Sequence, residues 1–303
     1  MQNMGTHERL NPAVLRRKLN TAWTRYNPLA IGARANMLRL EAGAYLRDLT
    51  ARRSYNFIPL EQFTQGRKIS DTIFVFGSGS SLKDVTPEEW AKINLHNTLG
   101  WKSFVYQEYV HADFLILREV MTHDMHNPQG LRRELTRLMT QAMNNSRFEN
   151  ALMLVQEGWR ARAGNELFGS HIAPQDRFQY ARFKNGARYP DAMPSESFSQ
   201  GITHIHGTLT DAVNLAFLGG WKHIVLIGID LYDSAYFVAI EQKEHLIATG
   251  GSAGHIHPTA KSGIVEKMAV WRQWLYEHGV TIHVYNPRSL MAEIMPVFDR
   301  DTL

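Results

Sequence analysis

The sequence predicts an α/β protein with a mostly parallel sheet and covering helices. An apolar, β-prone run at 72–76 leads into a glycine-containing loop and then into a helix start at Thr86. A second apolar run ends in a similar way, with Gly228 and Asp230 close behind it. Loops of this kind are typical of parallel sheets, in which ligands bind at the carboxyl ends of the strands.

Alternating segments from about residue 68 onward predict the individual elements. The predicted strands are 72–76, 97–105, 113–117, 151–155, 223–229 and 280–285. The predicted helices are 87–93, 129–144, 209–218, 261–278 and 289–295. Thr86 and Glu89 form a capping box in front of the first helix, and Gly279 marks the end of the fourth.

Two regions of different pattern are predicted along the chain. Residues 1–67 form an N-terminal helical region, and residues 68–303 form the α/β domain. Within that domain, 156–207 has no clear periodicity and is rich in Gly, Ser, Pro, Arg and aromatic residues, which indicates a lid or an acceptor-binding insertion. The helix-compatible segments of the N-terminal region are 12–26 and 33–52.

The composition is that of an ordinary globular protein of 303 residues, with 44% hydrophobic and 20% charged residues. There is no cysteine, which excludes disulfides, thiolate catalysis and cysteine-ligated metal sites. No apolar run is long enough to span a bilayer, and no secretory signal pattern is evident. We therefore expect a cytoplasmic protein.

The net charge of +4 is concentrated near the start of the chain, where nine Arg and Lys residues lie between positions 16 and 53. Two interpretations stay open: a solvated helix face, or peripheral contact with an anionic membrane surface. No nucleic-acid-binding motif accompanies these charges, so no nucleic-acid partner is expected. The sequence leaves open whether the same helices form a homo-oligomer.

The loop after the first strand is the first candidate ligand site. Gly77 and Gly79 permit a sharp turn and let a ligand approach the backbone amides. Leu82 stands where a dinucleotide motif has its third glycine, and no Walker lysine follows. The alternative is an ordinary tight turn between a strand and a helix. The hydroxyl donors of this loop are Ser78, Ser80 and Ser81.

Other strand ends carry further candidates. Thr208 begins a helix whose free amides could bind an anion, and Asp230 could accept from a ribose or a base. Asn286 follows the last strand, and Arg288 could pair with a phosphate or a sugar carboxylate. Because the carboxyl ends of parallel strands share one edge, we expect these residues to lie near the glycine loop. The simpler alternatives are a turn-forming aspartate and a surface arginine.

Two histidine pairs, His204 with His206 and His255 with His257, have the alternating spacing that places two imidazoles on one side of a strand. A metal site would need a converging carboxylate, and no such pattern accompanies either pair. We therefore expect no metal. The second pair lies in a polar loop, where a histidine beside a nucleotide is a candidate general base. An exposed histidine without a role is the alternative.

The order of these motifs resembles the bacterial CMP-dependent sialyltransferases of glycosyltransferase family 42. It also resembles their flagellin-modifying and lipopolysaccharide-associated relatives and the related pterin diphosphokinase-like domain. The resemblance covers roughly 70–110 and 200–292. Its most specific part is 221–232, which reads Trp-Lys-His-Ile-Val-Leu-Ile-Gly-Ile-Asp-Leu-Tyr, whereas the glycine loop is a looser match.

The resemblance implies one Rossmann-like nucleotide-sugar-binding domain with a flexible lid and no cofactor beyond the CMP-sugar donor. His257, or alternatively His255, would deprotonate the acceptor hydroxyl, and Tyr236 would assist the leaving phosphate. The residues that the resemblance implies for nucleotide binding are Ser78, Gly79, Ser81, Thr208, Gly228, Asp230 and Tyr232.

We therefore expect a metal-independent, sialyltransferase-like glycosyltransferase. Its donor would be a CMP-activated acidic sugar, such as sialic acid or a Kdo-like sugar, and its acceptor a glycan or glycolipid. One alternative is a diphosphokinase-like phosphotransferase that needs Mg²⁺ and ATP, although the chain lacks an obvious paired-carboxylate cluster for it. The other is a non-enzymatic nucleotide-binding or assembly protein that docks through its basic N-terminal helices.

Overall fold

The structure, a computed structural model, describes residues 28–118, 128–232, 236–237 and 257–302. The chain forms two compact units, 1–43 and 44–303. The described residues of the first unit belong to helix α1, Pro28–Ala51. Proline is favourable at the first position of a helix. The N–H groups of the first turn have no partner within the helix, and proline has no N–H group to leave unpaired.

The predicted helix 12–26 lies outside the described residues. The predicted division into regions 1–67 and 68–303 stays a prediction, as does membrane contact through the basic N-terminal segment. None of the helices in the described ranges is long and apolar enough to cross a bilayer.

The described residues form one eight-stranded sheet in which neighbouring strands run parallel. The order across the sheet is β1-β6-β5-β4-β3-β2-β7-β8. The predicted fold class, a Rossmann-like α/β fold, is confirmed. The strands are β1 Phe57–Ile58, β2 Thr72–Phe76, β3 Asn97–Trp101, β4 Phe114–Leu117, β5 Leu152–Gln156, β6 Gln179–Phe183, β7 His223–Ile227 and β8 Thr281–Val284.

The strand order reverses at β2. From β2 the chain builds the sheet outward through β3, β4, β5 and β6, and it then returns to place β7 on the other side of β2. The register pairs Thr72 with His223 and Phe76 with Ile227, so β2 and β7 end side by side. Ligands of open parallel sheets bind in the crevice at such a reversal, because the loops after the two strands diverge there.

Helices cover both faces of the sheet. Phe74 and Phe76 of β2 belong to one buried apolar cluster, and Ile73 and Val75 belong to the other. Successive side chains of a strand point to opposite faces, so a central parallel strand must be apolar throughout. The remaining α-helices in the described ranges are α2 Pro87–Ile93, α3 Pro128–Asn144, α4 Arg162–Gly169, α5 Thr208–Leu218, α6 Pro258–Lys261 and α7 Ile264–Glu277.

The segment 156–207 contains regular elements that its sequence did not predict. It contributes α4 and the interior strand β6, which pairs with both β5 and β1. Arg182 interrupts the apolar pattern of β6, yet its side chain is only 9% exposed because it pairs with the buried Asp48. Strand β6 is therefore part of the sheet itself, and the lid or acceptor-binding insertion at 156–207 stays a prediction.

Three other elements differ from their predictions. The strand predicted at 97–105 ends at Trp101, and a 3₁₀ helix, Lys102–Tyr106, follows it. The helix predicted at 261–278 begins only at Ile264, as α7, because Gly263 with a φ of +94° separates it from the short helix α6. The helix predicted at 289–295 is a 3₁₀ helix, Leu290–Glu293.

Candidate functional site

The loops after β2 and β7 are joined by backbone hydrogen bonds. The amide of Gly77 donates to the carbonyl of Ile227, and that of Gly79 donates to the carbonyl of Gly228, each at 2.8 Å. A Cβ on Gly77 would lie 2.3 Å from the Gly228 oxygen, and one on Gly79 would lie 2.3 Å from Asp230 Oδ2. The close approach of the β7 loop therefore requires glycine at both positions, whether or not a ligand binds there.

Asp230 connects three strand ends. Its Oδ2 accepts from the Ser81 amide at 2.9 Å, and its Oδ1 accepts from the Ser81 hydroxyl and from Asn286 Nδ2, the latter at 2.9 Å. The residue is only 3% exposed. Three of its acceptor positions are thus filled by protein, so the structure gives Asp230 a loop-fixing role. Its predicted contact with a ribose or base stays a prediction.

The loop after β8 is held by the same group. Asn286 Oδ1 accepts from the amide of Arg288 at 3.0 Å, and the Leu290 amide donates to the Asp230 carbonyl at 3.2 Å. The Arg288 guanidinium pairs with Asp84 at 2.5 Å, and both side chains are mostly exposed. Arg288 therefore lies at the rim of this edge, and its contact with a substrate stays a prediction.

Ser78 and Ser80 are the partly exposed serines of the glycine loop, whereas Ser81 is buried. Tyr236 forms an isolated antiparallel bridge with Gly79, and the next residue, Phe237, donates from its amide to the Ser78 carbonyl at 3.1 Å. The structure therefore brings the backbone of Tyr236 to the glycine loop, and the role of Tyr236 at the leaving phosphate stays a prediction. Ser78 and Ser80 are the serines of the loop that are accessible from solvent, and their contact with a ligand stays a prediction.

His257 is the N-cap of helix α6, beside the β7 loop. Its amide donates to the Leu231 carbonyl at 3.1 Å, and its ring Nδ1 accepts from the Thr259 amide at 3.2 Å. A nitrogen that accepts a hydrogen bond carries no proton, so the neutral ring has its proton on Nε2. His257 is therefore placed as a hydrogen-bond donor through Nε2. The predicted alternative, His255, lies outside the described residues.

The start of α5 adjoins the start of α6. A Cβ on Gly207 would lie 3.6 Å from Thr259 Cγ2, so the turn that precedes Thr208 is next to the turn that holds His257. Tyr232 lies on the same edge, where its amide donates to the Asp230 carbonyl at 2.8 Å. The predicted nucleotide-binding residues thus converge on one edge of the sheet, although their contacts with a ligand stay predictions.

Unusual backbone conformations concentrate at this edge. Among the described residues other than glycine, positive φ angles occur at Lys102, His171, His206 and Leu231. Lys102 follows β3, His206 precedes α5 and Leu231 follows β7, so three of the four lie at the carboxyl edge. Such conformations require support from their surroundings and are frequent at functional sites. The strain supports a function at the carboxyl edge.

A charged cluster at the same edge was not predicted as a site. Arg118, directly after β4, donates from Nη1 to Asp211 Oδ1 at 2.9 Å and from Nη2 to Asn185 Oδ1 at 2.7 Å. His204 Nδ1 lies 2.9 Å from Asp211 Oδ2. The side chains of Arg118 and Asp211 are 2% and 0% exposed, whereas that of His204 is 21% exposed.

The sequence contained one signal for this cluster, the alternating spacing of His204 and His206, but that spacing was considered only for a metal site, and no metal was expected. The two rings have different neighbours, since His206 Nε2 lies 3.7 Å from the Cβ position of Gly263 while His204 contacts Asp211. Within the described ranges, no group of three His, Cys, Asp or Glu side chains could hold a metal ion. Arg118 and Asp211 are 93 positions apart, so no local pattern could have paired them.

Comparison with known proteins gives limited information. No protein-family model matches the chain, and no curated protein matches it significantly. Solved structures that resemble it include the monofunctional α-2,3-sialyltransferase Cst-I from Campylobacter jejuni, with 13% sequence identity and a TM-score of 0.41. That match covers 76% of this chain and 81% of the other. A similarity this low carries no argument about activity or site residues.

Proposed function

We propose that this protein is a glycosyltransferase that moves an acidic sugar from CMP to a hydroxyl group of a glycan or glycolipid. The observation that carries the proposal is the junction of the β2 and β7 loops at the point where the strand order reverses, with Asp230 fixing both. Crevices of this kind bind nucleotides in open parallel sheets. The motif resemblance at 221–232 supports CMP as the nucleotide.

The donor phosphate would lie between the glycine loop and the start of α5. Ser78 and Ser80 are partly exposed there and can donate hydroxyl hydrogen bonds. Thr208 is the first residue of an 11-residue helix, whose N-terminal amides favour an anion. Hydroxyl and amide donors fixed before the reaction would stabilise the charge that develops on departing CMP, so no metal is part of the proposal.

In the proposed reaction, the oxygen of the acceptor hydroxyl attacks the anomeric carbon of the donor sugar. The bond between that carbon and the phosphate oxygen breaks, CMP leaves with the bonding electrons, and a base takes the hydroxyl proton. The resemblance implies His257 as this base. Its Nδ1 would have to release the Thr259 amide before it could accept a proton, since Nε2 carries the proton of the neutral ring.

The first test is a calorimetric titration of the full chain with CMP, CDP, UDP, ADP and ATP, each with and without Mg²⁺. We expect CMP or CDP to bind without Mg²⁺ and CMP-sialic acid to be hydrolysed slowly. The double variant Ser78→Ala/Ser80→Ala should weaken CMP binding about tenfold or more, since two hydroxyl donors are lost. Ser146→Ala is the matched control, because Ser146 is exposed and precedes β5 at the opposite edge.

Three outcomes would contradict the proposal in different ways. Binding of ATP only with Mg²⁺ would favour the phosphotransferase. Binding of CMP with no turnover of any CMP-sugar would favour a non-enzymatic nucleotide-binding protein. Absence of all nucleotide binding would overturn the assignment of the crevice and would favour an assembly protein.

A further inference from the structure

The cluster of Arg118, Asp211 and His204 has the geometry of an oriented general base. We propose that His204 is the residue that accepts the proton of the acceptor hydroxyl, with Asp211 as its positioning residue. This inference rests on the proposed function, because it assigns a step of that reaction. It moves the base from the α6 loop to the segment before α5.

The hydrogen bonds decide which nitrogen of His204 can accept a proton. Asp211 pairs with the Arg118 guanidinium at 2.9 Å, so it is ionised and can only accept. His204 Nδ1 must therefore donate to Asp211 Oδ2, which leaves the lone pair of the neutral ring on Nε2. His257 has the opposite arrangement, because its Nδ1 accepts from a backbone amide. Of the two rings, only His204 is placed as a base through Nε2.

The backbone around His204 is fixed by helix α5. The Thr203 amide donates to Asn214 Oδ1 at 2.9 Å, and the Ile205 amide donates to Thr210 Oγ1 at 2.9 Å. The His204 amide itself donates to the Ala187 carbonyl at 3.2 Å. A ring held by both its backbone and a buried carboxylate loses little orientational freedom in the reaction, which is the usual requirement for a positioned base.

The location of the cluster agrees with an acceptor site beside the donor crevice. Arg118 follows β4, which is two strands from β2 and hence about 10 Å away along the edge of the sheet. His204 is four residues before Thr208, and the turn between them lies next to the His257 turn, since a Cβ on Gly207 would be 3.6 Å from Thr259 Cγ2. The partly exposed ring therefore belongs to the edge that carries the donor crevice.

One proton and one electron pair move in the proposed step. The acceptor hydroxyl gives its proton to His204 Nε2 as its oxygen bonds to the anomeric carbon, and CMP leaves with the electrons of the broken bond. His204 becomes an imidazolium whose Nδ1–H remains bonded to the Asp211 carboxylate. Asp211 stays ionised because Arg118 pairs with its other oxygen, and it stabilises the new positive charge.

His204→Asn is the sharpest variant, because the Asn side-chain NH₂ takes the place of Nδ1–H while Nε2 is removed. We expect kcat for sugar transfer to fall about 10²–10⁴-fold, with the affinity for CMP within threefold of wild type. The acid limb of the wild-type pH–rate profile, where a catalytic imidazole becomes protonated, should be absent from the residual rate. His223→Gln is the control, because His223 is exposed at the start of β7, at the opposite edge.

A second measurement does not depend on turnover. Nitrogen-15 NMR of labelled histidine, with His204 assigned from the missing signal in His204→Asn, reports which ring nitrogen carries the proton. We expect the Nδ1–H form in wild type and a shift toward the Nε2–H form in Asp211→Asn, whose kcat should fall at least tenfold. A merely structural role for Asp211 would leave the tautomer unchanged.

The outcomes separate this inference from the proposed function. Sugar transfer by wild type with undiminished kcat in His204→Asn would overturn the base assignment and leave the proposed function standing. An Nε2–H tautomer in wild type would also overturn it. Absence of CMP binding by wild type would overturn the proposed function, and the base assignment would fall with it.

Discussion

Two buried aspartates lie at the carboxyl edge of this sheet, and they differ in their partners. Asp230 accepts from neutral donors of two other loops, Ser81 and Asn286. Asp211 accepts from Arg118 and is bonded to the partly exposed His204. One carboxylate connects loops to each other, whereas the other connects a fixed positive charge to a side chain that can take up a proton.

The difference shows that a motif does not identify the reactive group. Asp230 lies in the segment with the most specific family resemblance, yet three of its acceptor positions are filled by protein. Asp211 lies outside that most specific segment and was not predicted as a site residue, yet it faces Nδ1 of the His204 ring and so sets its tautomer. A carboxylate saturated by neutral donors is suited to holding a shape, and one paired with Arg and His is suited to supporting proton transfer.

The largest expected effect is on stability in Asp211→Ala. Removal of the carboxylate leaves the buried Arg118 charge without this partner, which destabilises a protein by about 3–5 kcal/mol. Urea denaturation followed by circular dichroism measures the loss. The double variant Arg118→Met/Asp211→Leu should recover most of it, since apolar replacement of a buried pair is often neutral. A loss below about 1 kcal/mol would argue against the buried ion pair.

Asp230→Asn should have the next largest effect. Its amide NH₂ would face a donor of Ser81 or Asn286, so we expect a loss of about 1–3 kcal/mol in the free energy of unfolding. CMP affinity should fall as well, because the glycine loop loses hydrogen bonds that hold it to the β7 loop. The shape of the pH–rate profile should not change. A changed profile with intact stability would give Asp230 a chemical role and would reverse the comparison.

Asp113, at the amino edge of the sheet, tests whether burial alone explains how the two aspartates of the carboxyl edge affect stability. Burial raises the pKa of Asp113 above its ordinary value of 3.8, against the opposing hydrogen bond from the Thr98 amide. A raised folded pKa stabilises the protein below pH 3.8, and that contribution is lost as the pH rises through the folded value.

Asp113→Asn should therefore gain stability relative to wild type between acidic and neutral pH, by less than either change above. Thermal unfolding across this pH range measures the difference. Asp71→Asn is the control, because the hydrogen bond from Lys68 lowers the pKa of the exposed Asp71 and the dependence should have the opposite sign. A pH-independent difference in Asp113→Asn would show that its burial carries no penalty in the folded protein.

The smallest effect is expected for Arg288→Ala. The side chains of Arg288 and Asp84 are 67% and 61% exposed, so their ion pair should contribute less than about 0.5 kcal/mol to stability. Urea denaturation should detect no change within that limit. A simultaneous tenfold loss in affinity for a CMP-sugar, with CMP affinity unchanged, would confirm the predicted contact with the sugar carboxylate.

Local patterns predicted the central elements because those elements are apolar on both faces or carry their own caps. The strand at 72–76 and the helix at 87–93 have the predicted bounds. Strand β6 was missed because Arg182 occupies a largely buried position in it. That position is tolerated because Asp48, 134 residues earlier, accepts from Arg182 at 2.9 Å and because the guanidinium lies 4.5 Å from the Phe57 and Phe168 ring centres.

In the candidate site, too, some features followed from local patterns and others depended on residues distant in the chain. The glycine loop, Asp230 and Asn286 were predicted from strand ends, because the carboxyl ends of parallel strands must share an edge. The hydrogen-bond partners of Asp230 were not predictable, since Ser81 is 149 residues away. The tautomers of His204 and His257 also followed only from the structure, because each depends on the group that faces Nδ1.

The sequence by itself determined the α/β class, the central strands and the glycine-containing loops, because these depend on local periodicity and on backbone freedom at single residues. Only the tertiary structure decided which buried charges are paired, which carboxylate is saturated and which histidine presents a proton-accepting nitrogen. Those properties depend on side chains that are distant in the chain and meet only when the sheet has formed.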